Sequence, residues 1–175
     1  MKKTMRISAI LSLVLTLLSI LAGFVWKSDV PKACAITFAT TAYHFWMRLA
    51  VGGVFDICMR NRADYTKRWY QCSPWENGLY SRIKVKKWKS RLPSYDPDQF
   101  DPGKRTWEEI AQAMCQAELV HETITFLSFV PVLFAIWFGQ LPVFLITSLL
   151  AAAFDMQFVI LQRYNRPRVV KFINK

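Results

Sequence analysis

The chain is poor in histidine and in acid. It has 2 histidines, and 12 Asp and Glu stand against 23 Lys and Arg. Its four cysteines, Cys34, Cys58, Cys72 and Cys115, include no Cys-x-x-Cys pair. That spacing argues against a structural zinc site, and on the topology expected for the chain three of the four face the reducing cytoplasm, so free thiols and no disulfide framework are expected. There is no internal repeat and no low-complexity segment, so a solenoid or a disordered tract is not expected. Asp96, Asp98 and Asp101 are not followed by a loop of calcium-binding length, and Asp96-Pro97 and Asp101-Pro102 read as turns. At 175 residues the chain has room for a single domain.

What is abundant is apolar surface and positive charge. Hydrophobic residues make up 53% and aromatics 15%, with a net charge of +11. A water-soluble domain is seldom both so apolar and so basic, whereas a small membrane protein with a basic cytoplasmic region is. The charges flank membrane-length apolar runs. Lipid headgroups or an anionic substrate are therefore the expected partners, and nucleic acid is not.

The fold class expected is an all-α membrane protein with four transmembrane helices, at 8–26, 33–55, 119–138 and 143–161. The first run is 19 residues long with no charged residue, enough to cross roughly 30 Å of hydrocarbon and longer than a signal-peptide core. The second is less pure, carrying His44, Arg48, Gly52 and Gly53, and Asp155 interrupts the last. Buried charge of this kind should find a partner, and His44 and Arg48 are candidates to neutralise Asp155. Between the second and third runs, residues 57–118 form a basic, aromatic-rich loop suited to a headgroup surface. Around Tyr80 to Trp88 its pattern fits a helix or a strand equally. Of the 23 Lys and Arg, all but Lys27, Lys32 and Arg48 fall at the two ends or in this loop. The positive-inside rule then places both termini and the loop in the cytoplasm of a multi-pass protein of the bacterial cell membrane.

Thr106-Trp107-Glu108-Glu109 is a capping box, so a helix starts near Trp107 and should run with a kink at Pro131 to about Phe138. On it Glu118, His121, Glu122 and Thr125 share one face where polar sequence gives way to apolar. A titratable cluster at the edge of a hydrocarbon layer is costly unless it is used or paired. Histidine titrates near neutrality and suits proton transfer, and a neighbouring carboxylate can fix its tautomer. Glu118 fits that role one turn away, with Glu122 or Asp155 as the other choices. Glu118-x-x-His121 is also half of a carboxylate-bridged metal motif, but its second half is missing and no metal is expected. Arg163, Arg166 and Arg168 follow the last span, where guanidinium forks can grip phosphate and Tyr164 and Asn165 can add hydrogen bonds. Membrane anchoring also accounts for arginines there, but it explains neither Asn165 nor the fixed order of the residues, and a functional role is therefore expected.

Three stretches carry a family resemblance: Val85-Lys86-Lys87-Trp88-Lys89, Ala117-Glu118-Leu119-Val120-His121, and Ile160-Leu161-Gln162-Arg163-Tyr164-Asn165-Arg166-Pro167-Arg168. In order and spacing they resemble the glycosyl-4,4'-diaponeurosporenoate acyltransferase family of staphyloxanthin biosynthesis, over roughly residues 75–170. The resemblance implies transfer of a fatty acyl group onto a sugar hydroxyl of a glycosylated carotenoid. Such a reaction needs a base for the hydroxyl and donors for the oxyanion. His121 and Glu118 are then the catalytic candidates. Trp88, Lys89, Arg163, Tyr164, Asn165, Arg166 and Arg168 are the substrate-binding ones. Acyl-CoA is the expected donor, a lipophilic glycosylated molecule the acceptor, and no cofactor is bound. The histidine-then-aspartate signature of common glycerolipid acyltransferases, five residues apart, is absent from the sequence. A non-catalytic scaffold or glycolipid-binding partner is the alternative.

Overall fold

A computed structural model describes residues 2–26 and 28–173. Among these residues every regular element is helical. The α-helices are α1 (Lys2–Val25), α2 (Asp29–Cys58), α3 (Pro74–Arg82), α4 (Val85–Trp88), α5 (Trp107–Leu127), α6 (Val130–Leu133), α7 (Ala135–Phe138) and α8 (Leu141–Ile173), with short 3-10 turns in the loop between α2 and α5. The segment that reads as helix or strand resolves into α3 and α4, joined through Lys84 in the left-handed region at φ 53°.

Among the described residues three stretches are long and apolar enough to cross a membrane: Lys2–Val25, Trp107–Phe138 and Leu141–Ile173. The protein is a membrane protein on that composition. Four spans are expected from the sequence, and α2 is the one that does not qualify. It is 30 residues long, so length is not the reason. His44, Arg48, Asp56 and three threonines dilute its apolar run.

The chain divides into two compact units, one formed by Lys2–Val51 and Ile124–Ala152 and the other chiefly by Gly52–Thr123 and Ala153–Lys175. In the first, apolar unit, α1 turns Ile10, Leu11, Leu17, Leu18 and Leu21 outward, a surface suited to lipid rather than water. Its inward residues Ser12 and Thr16 bond carbonyls of their own helix, Ser12 Oγ to Ser8 O at 2.8 Å and Thr16 Oγ1 to Ser12 O at 2.8 Å. Hydroxyls satisfied within their own helix add little cost in an apolar surrounding.

Pro131 shapes the same unit. Lacking an N–H, it cannot donate to the carbonyl of Leu127 four residues earlier. The helix therefore stops at Leu127 and resumes as the short α6 and α7. The orphaned Leu127 carbonyl accepts a hydrogen bond from Tyr43 Oη at 2.9 Å. The sequence suggests a kink at Pro131; the structure has a break three residues before it.

The second unit holds the basic loop against the first half of α5 and the last half of α8. The capping box at the start of α5 forms: Thr106 N donates to Glu109 Oε2 at 2.9 Å and Glu109 N to Thr106 Oγ1 at 3.2 Å. Arg60 and Asn61 take left-handed backbone at φ 50° and 54°. That turn is pinned by Gln116, whose side chain accepts from Asn61 N at 2.7 Å and donates to Asp56 Oδ1 at 2.9 Å. Ala63, Tyr70 and Cys115 form a small apolar core beneath the loop.

Candidate functional site

In the second unit α5 and α8 bury polar side chains at helical spacing. On α8 these are Asp155, Gln162 and Arg166, and on α5 Gln116 and Glu118. The intervals of seven and four residues along α8 repeat one face of a 3.6-residue helix.

His121 and Asp155 meet on these faces. His121 Nδ1 lies 2.9 Å from Asp155 Oδ1, the geometry of an Nδ1–H donating to a carboxylate. The Asp155 side chain is 1% exposed and that of His121 23% exposed, so the carboxylate is enclosed and the ring keeps an accessible edge. Phe158, one turn along α8 from Asp155, stacks on the imidazole with centroids 4.6 Å apart and planes at 11°. Plane and tautomer are both fixed from α8.

Glu118 is differently engaged. Its side chain is fully buried and its two oxygens go to two arginines, Oε1 to Arg163 Nη1 at 2.6 Å and Oε2 to Arg166 Nη1. Sequence reasoning pairs Glu118 with His121 because they are one turn apart. The structure aims Glu118 at the guanidinium groups, and the carboxylate that meets the imidazole comes from α8.

Arg163 gives all five of its donors to the protein. Nε and Nη2 fork onto Glu76 Oε1 and Oε2 at 2.6 and 3.0 Å. Nη1 reaches Glu118 and the Trp69 carbonyl at 3.1 Å, and Nη2 also meets the Gln71 carbonyl at 3.2 Å. Arg166, 2% exposed, donates through Nε and Nη2 to the Tyr70 carbonyl. These two arginines tie residues 69–76 of the loop to α5 and α8, and no donor of Arg163 is left over for a phosphate.

Glu76 is the member of this network that sequence reasoning missed. Its signal was present: Ser73-Pro74-Trp75-Glu76 is a capping box with proline in the first turn, and Ser73 N donates to Glu76 Oε2 at 2.6 Å. Burial raises the Glu76 carboxyl, but the Arg163 guanidinium and the Ser73 N–H outweigh it and hold the carboxyl below its ordinary value. Tyr80 Oη donates to Glu76 Oε1 at 3.1 Å, and burial, with Glu76 beside it, pushes that phenol up.

The remaining candidates gather a turn further on. Lys89 Nζ donates to Asn165 Oδ1 at 2.8 Å and lies 5.1 Å from the centre of the Tyr164 ring. The Arg168 guanidinium covers the same ring at 3.7 Å and donates to the Tyr164 carbonyl. Tyr80 meets Tyr164 edge to face at 6.2 Å. Trp88, the neighbour of Lys89 in sequence, is half-buried with its indole N–H on the Ile83 carbonyl at 3.0 Å, a bond that closes the α3–α4 connection.

A cleft of about 500 Å³ opens elsewhere in the unit, lined by Arg62, Ala63, Asp64, Tyr65, Thr66, Glu108 and Gln112. None of the candidate residues lines it. Among the described residues no three His, Cys, Asp or Glu side chains converge as metal ligands.

Compared with known proteins, residues 66–175 match the family model described as glycosyl-4,4'-diaponeurosporenoate acyltransferase. The match covers well over half of the chain, including α3, α4, α5 and α8. No curated protein and no solved structure matches.

Proposed function

The chain belongs to the glycosyl-4,4'-diaponeurosporenoate acyltransferase family, and on that premise we propose that it esterifies a sugar hydroxyl of a glycosylated carotenoid, or of a related glycolipid, with a fatty acyl group. The observation that carries the chemistry is the contact of His121 Nδ1 with Asp155 Oδ1 at 2.9 Å. With Nδ1–H donated to the carboxylate, the basic lone pair of the imidazole is on Nε2. Nε2 takes the proton of the sugar hydroxyl as the oxygen bonds to the acyl carbonyl carbon. The thioester C–S bond then breaks, and the imidazolium returns the proton to the departing thiolate. Asp155 positions the ring and stabilises the imidazolium, the work this reading takes from Glu118. Glu118 holds Arg163 and Arg166, and through them the loop.

Acyl-CoA is the proposed donor. The lipophilic acceptor is expected to reach the imidazole from the membrane, and the donor from the cytoplasm. This reading includes α2 as a fourth span, both termini in the cytoplasm, and residence in the bacterial cell membrane. It accounts for a histidine placed where polar sequence gives way to apolar.

The test is direct. Detergent-purified protein is supplied with labelled acyl-CoA and either a glycosylated carotenoid or a simple glycolipid, and ester product is measured. Time-dependent ester supports the enzyme. Absence of product with every acceptor and donor, from protein that remains folded, favours the non-catalytic scaffold.

A further inference from the structure

The tail arginines and Lys89 are held in two distinct ways. Arg163 and Arg166 are neutralised, meeting the carboxylates of Glu76 and Glu118. Lys89 and Arg168 are oriented by groups that carry no charge. The Lys89 ammonium is fixed by the amide oxygen of Asn165 at 2.8 Å and by the Tyr164 ring, and the Arg168 guanidinium by the same ring and the Tyr164 carbonyl. Among the described residues neither has a carboxylate partner.

An amide oxygen holds an ammonium in place but leaves its charge intact. A ring face does the same for a guanidinium. The result is two like charges brought to one tyrosine, with repulsion between them uncompensated by the protein. Burial lowers the proton affinity of Lys89, and the positive charges of Arg168 and Lys86 lower it further. A cluster whose members repel one another and are already oriented is completed by an anion. The planar fork of Arg168 beside a point-charge ammonium matches the oxygens of a phosphate or diphosphate.

We infer that Lys89, Tyr164, Asn165 and Arg168 form a phosphate seat, in which Asn165 and Tyr164 orient the two cations and the cations bind the anion. The seat separates the tail arginines by task. Arg168 binds ligand, and Arg163 and Arg166 brace the loop behind it. If the acyl-transfer reading holds, on which the identity of this ligand rests, the seat takes the phosphates of the donor's nucleotide handle. The same chemistry is offered by the phosphate of an anionic lipid headgroup.

Binding without turnover tests the seat. Coenzyme A and inorganic pyrophosphate are titrated by calorimetry against the full chain in neutral detergent. In parallel, capture by nanodiscs of phosphatidylglycerol is compared with capture by nanodiscs of phosphatidylcholine. Saturable binding of coenzyme A or pyrophosphate, weakened at least tenfold in Lys89→Gln and in Arg168→Gln, supports a soluble phosphate donor. A preference for phosphatidylglycerol that these variants abolish, without coenzyme A binding, supports the seat with a lipid as its source. Asn165→Asp, which puts a carboxylate on the ammonium, is expected to weaken binding as much as Lys89→Gln does. Lys67→Gln, an exposed cation of the loop, is expected to leave it unchanged. Equal binding by wild type, Lys89→Gln and Arg168→Gln, or no binding of any of the three phosphates, overturns the seat. Because no ester is formed in these measurements, loss of acyl transfer with binding intact counts against the enzymatic reading alone.

Discussion

His121 and Asp155 are 34 residues apart in sequence and 2.9 Å apart at Nδ1 and Oδ1. Each residue alone is awkward in an apolar helix; together the carboxylate is paired and the imidazole is held in one tautomer. The first prediction follows. Asp155→Asn should lower kcat roughly 10–100-fold with KM nearly unchanged, because the amide no longer enforces the tautomer or stabilises the imidazolium. Asp155→Glu should recover part of the loss. If Asp155 serves only to neutralise charge, Asp155→Asn will change the melting temperature and leave kcat alone.

Glu118 is expected to matter for stability rather than for chemistry. Glu118→Gln removes a fully buried carboxylate from two guanidinium groups; Arg163 keeps Glu76, but the buried Arg166 loses its carboxylate partner, at a cost of roughly 3–5 kcal/mol. Fluorescence-detected thermal unfolding in detergent should show a clear drop in midpoint. An unchanged midpoint with abolished ester formation would make Glu118 a reacting group.

Acid should loosen the loop through Glu76. Its carboxyl titrates below the ordinary value of 4.5 in the folded protein, so its contribution to stability is complete above that value and is lost as the pH falls through the folded one. Thermal midpoints measured from pH 7 downward should therefore fall in the acid range. In Glu76→Gln the midpoint should start lower and fall less. Parallel curves for the two proteins would contradict this.

The break in the helix before Pro131 gives a local test in the apolar unit. Tyr43→Phe deletes the donor to the Leu127 carbonyl and should cost about 0.5–1.5 kcal/mol. In Pro131→Ala the restored N–H can take over that carbonyl, so adding Tyr43→Phe there should cost less than it does in wild type. Equal costs in the two backgrounds would show that the hydroxyl is not serving the orphaned acceptor.

The parts of this protein legible in its sequence are those set by neighbours within a turn or two. The capping box at Thr106 and Glu109 involves residues three apart, and the long apolar runs declare helices by composition. The break at Leu127 was only half legible: Pro131 shows that a bond is missing, but not that the orphaned carbonyl is taken by Tyr43, 84 residues away in sequence. Glu118 shows the limit most plainly. Its spacing to His121 is a fact of one helix, yet its charge is claimed by arginines 45 and 48 residues downstream, which no local pattern reveals. Asp155 was visible as a costly residue, and the choice among its possible partners needed the packing of α5 on α8. Glu76 was different, because Ser73-Pro74-Trp75-Glu76 announced a helix start that could have been read.

The measurement closest to the central claim is the rate of acyl transfer in His121→Gln, in protein whose thermal midpoint matches wild type. If the imidazole removes the sugar hydroxyl proton, turnover should fall about 100-fold or more at saturating donor and acceptor. Turnover within a few-fold of wild type would contradict the account.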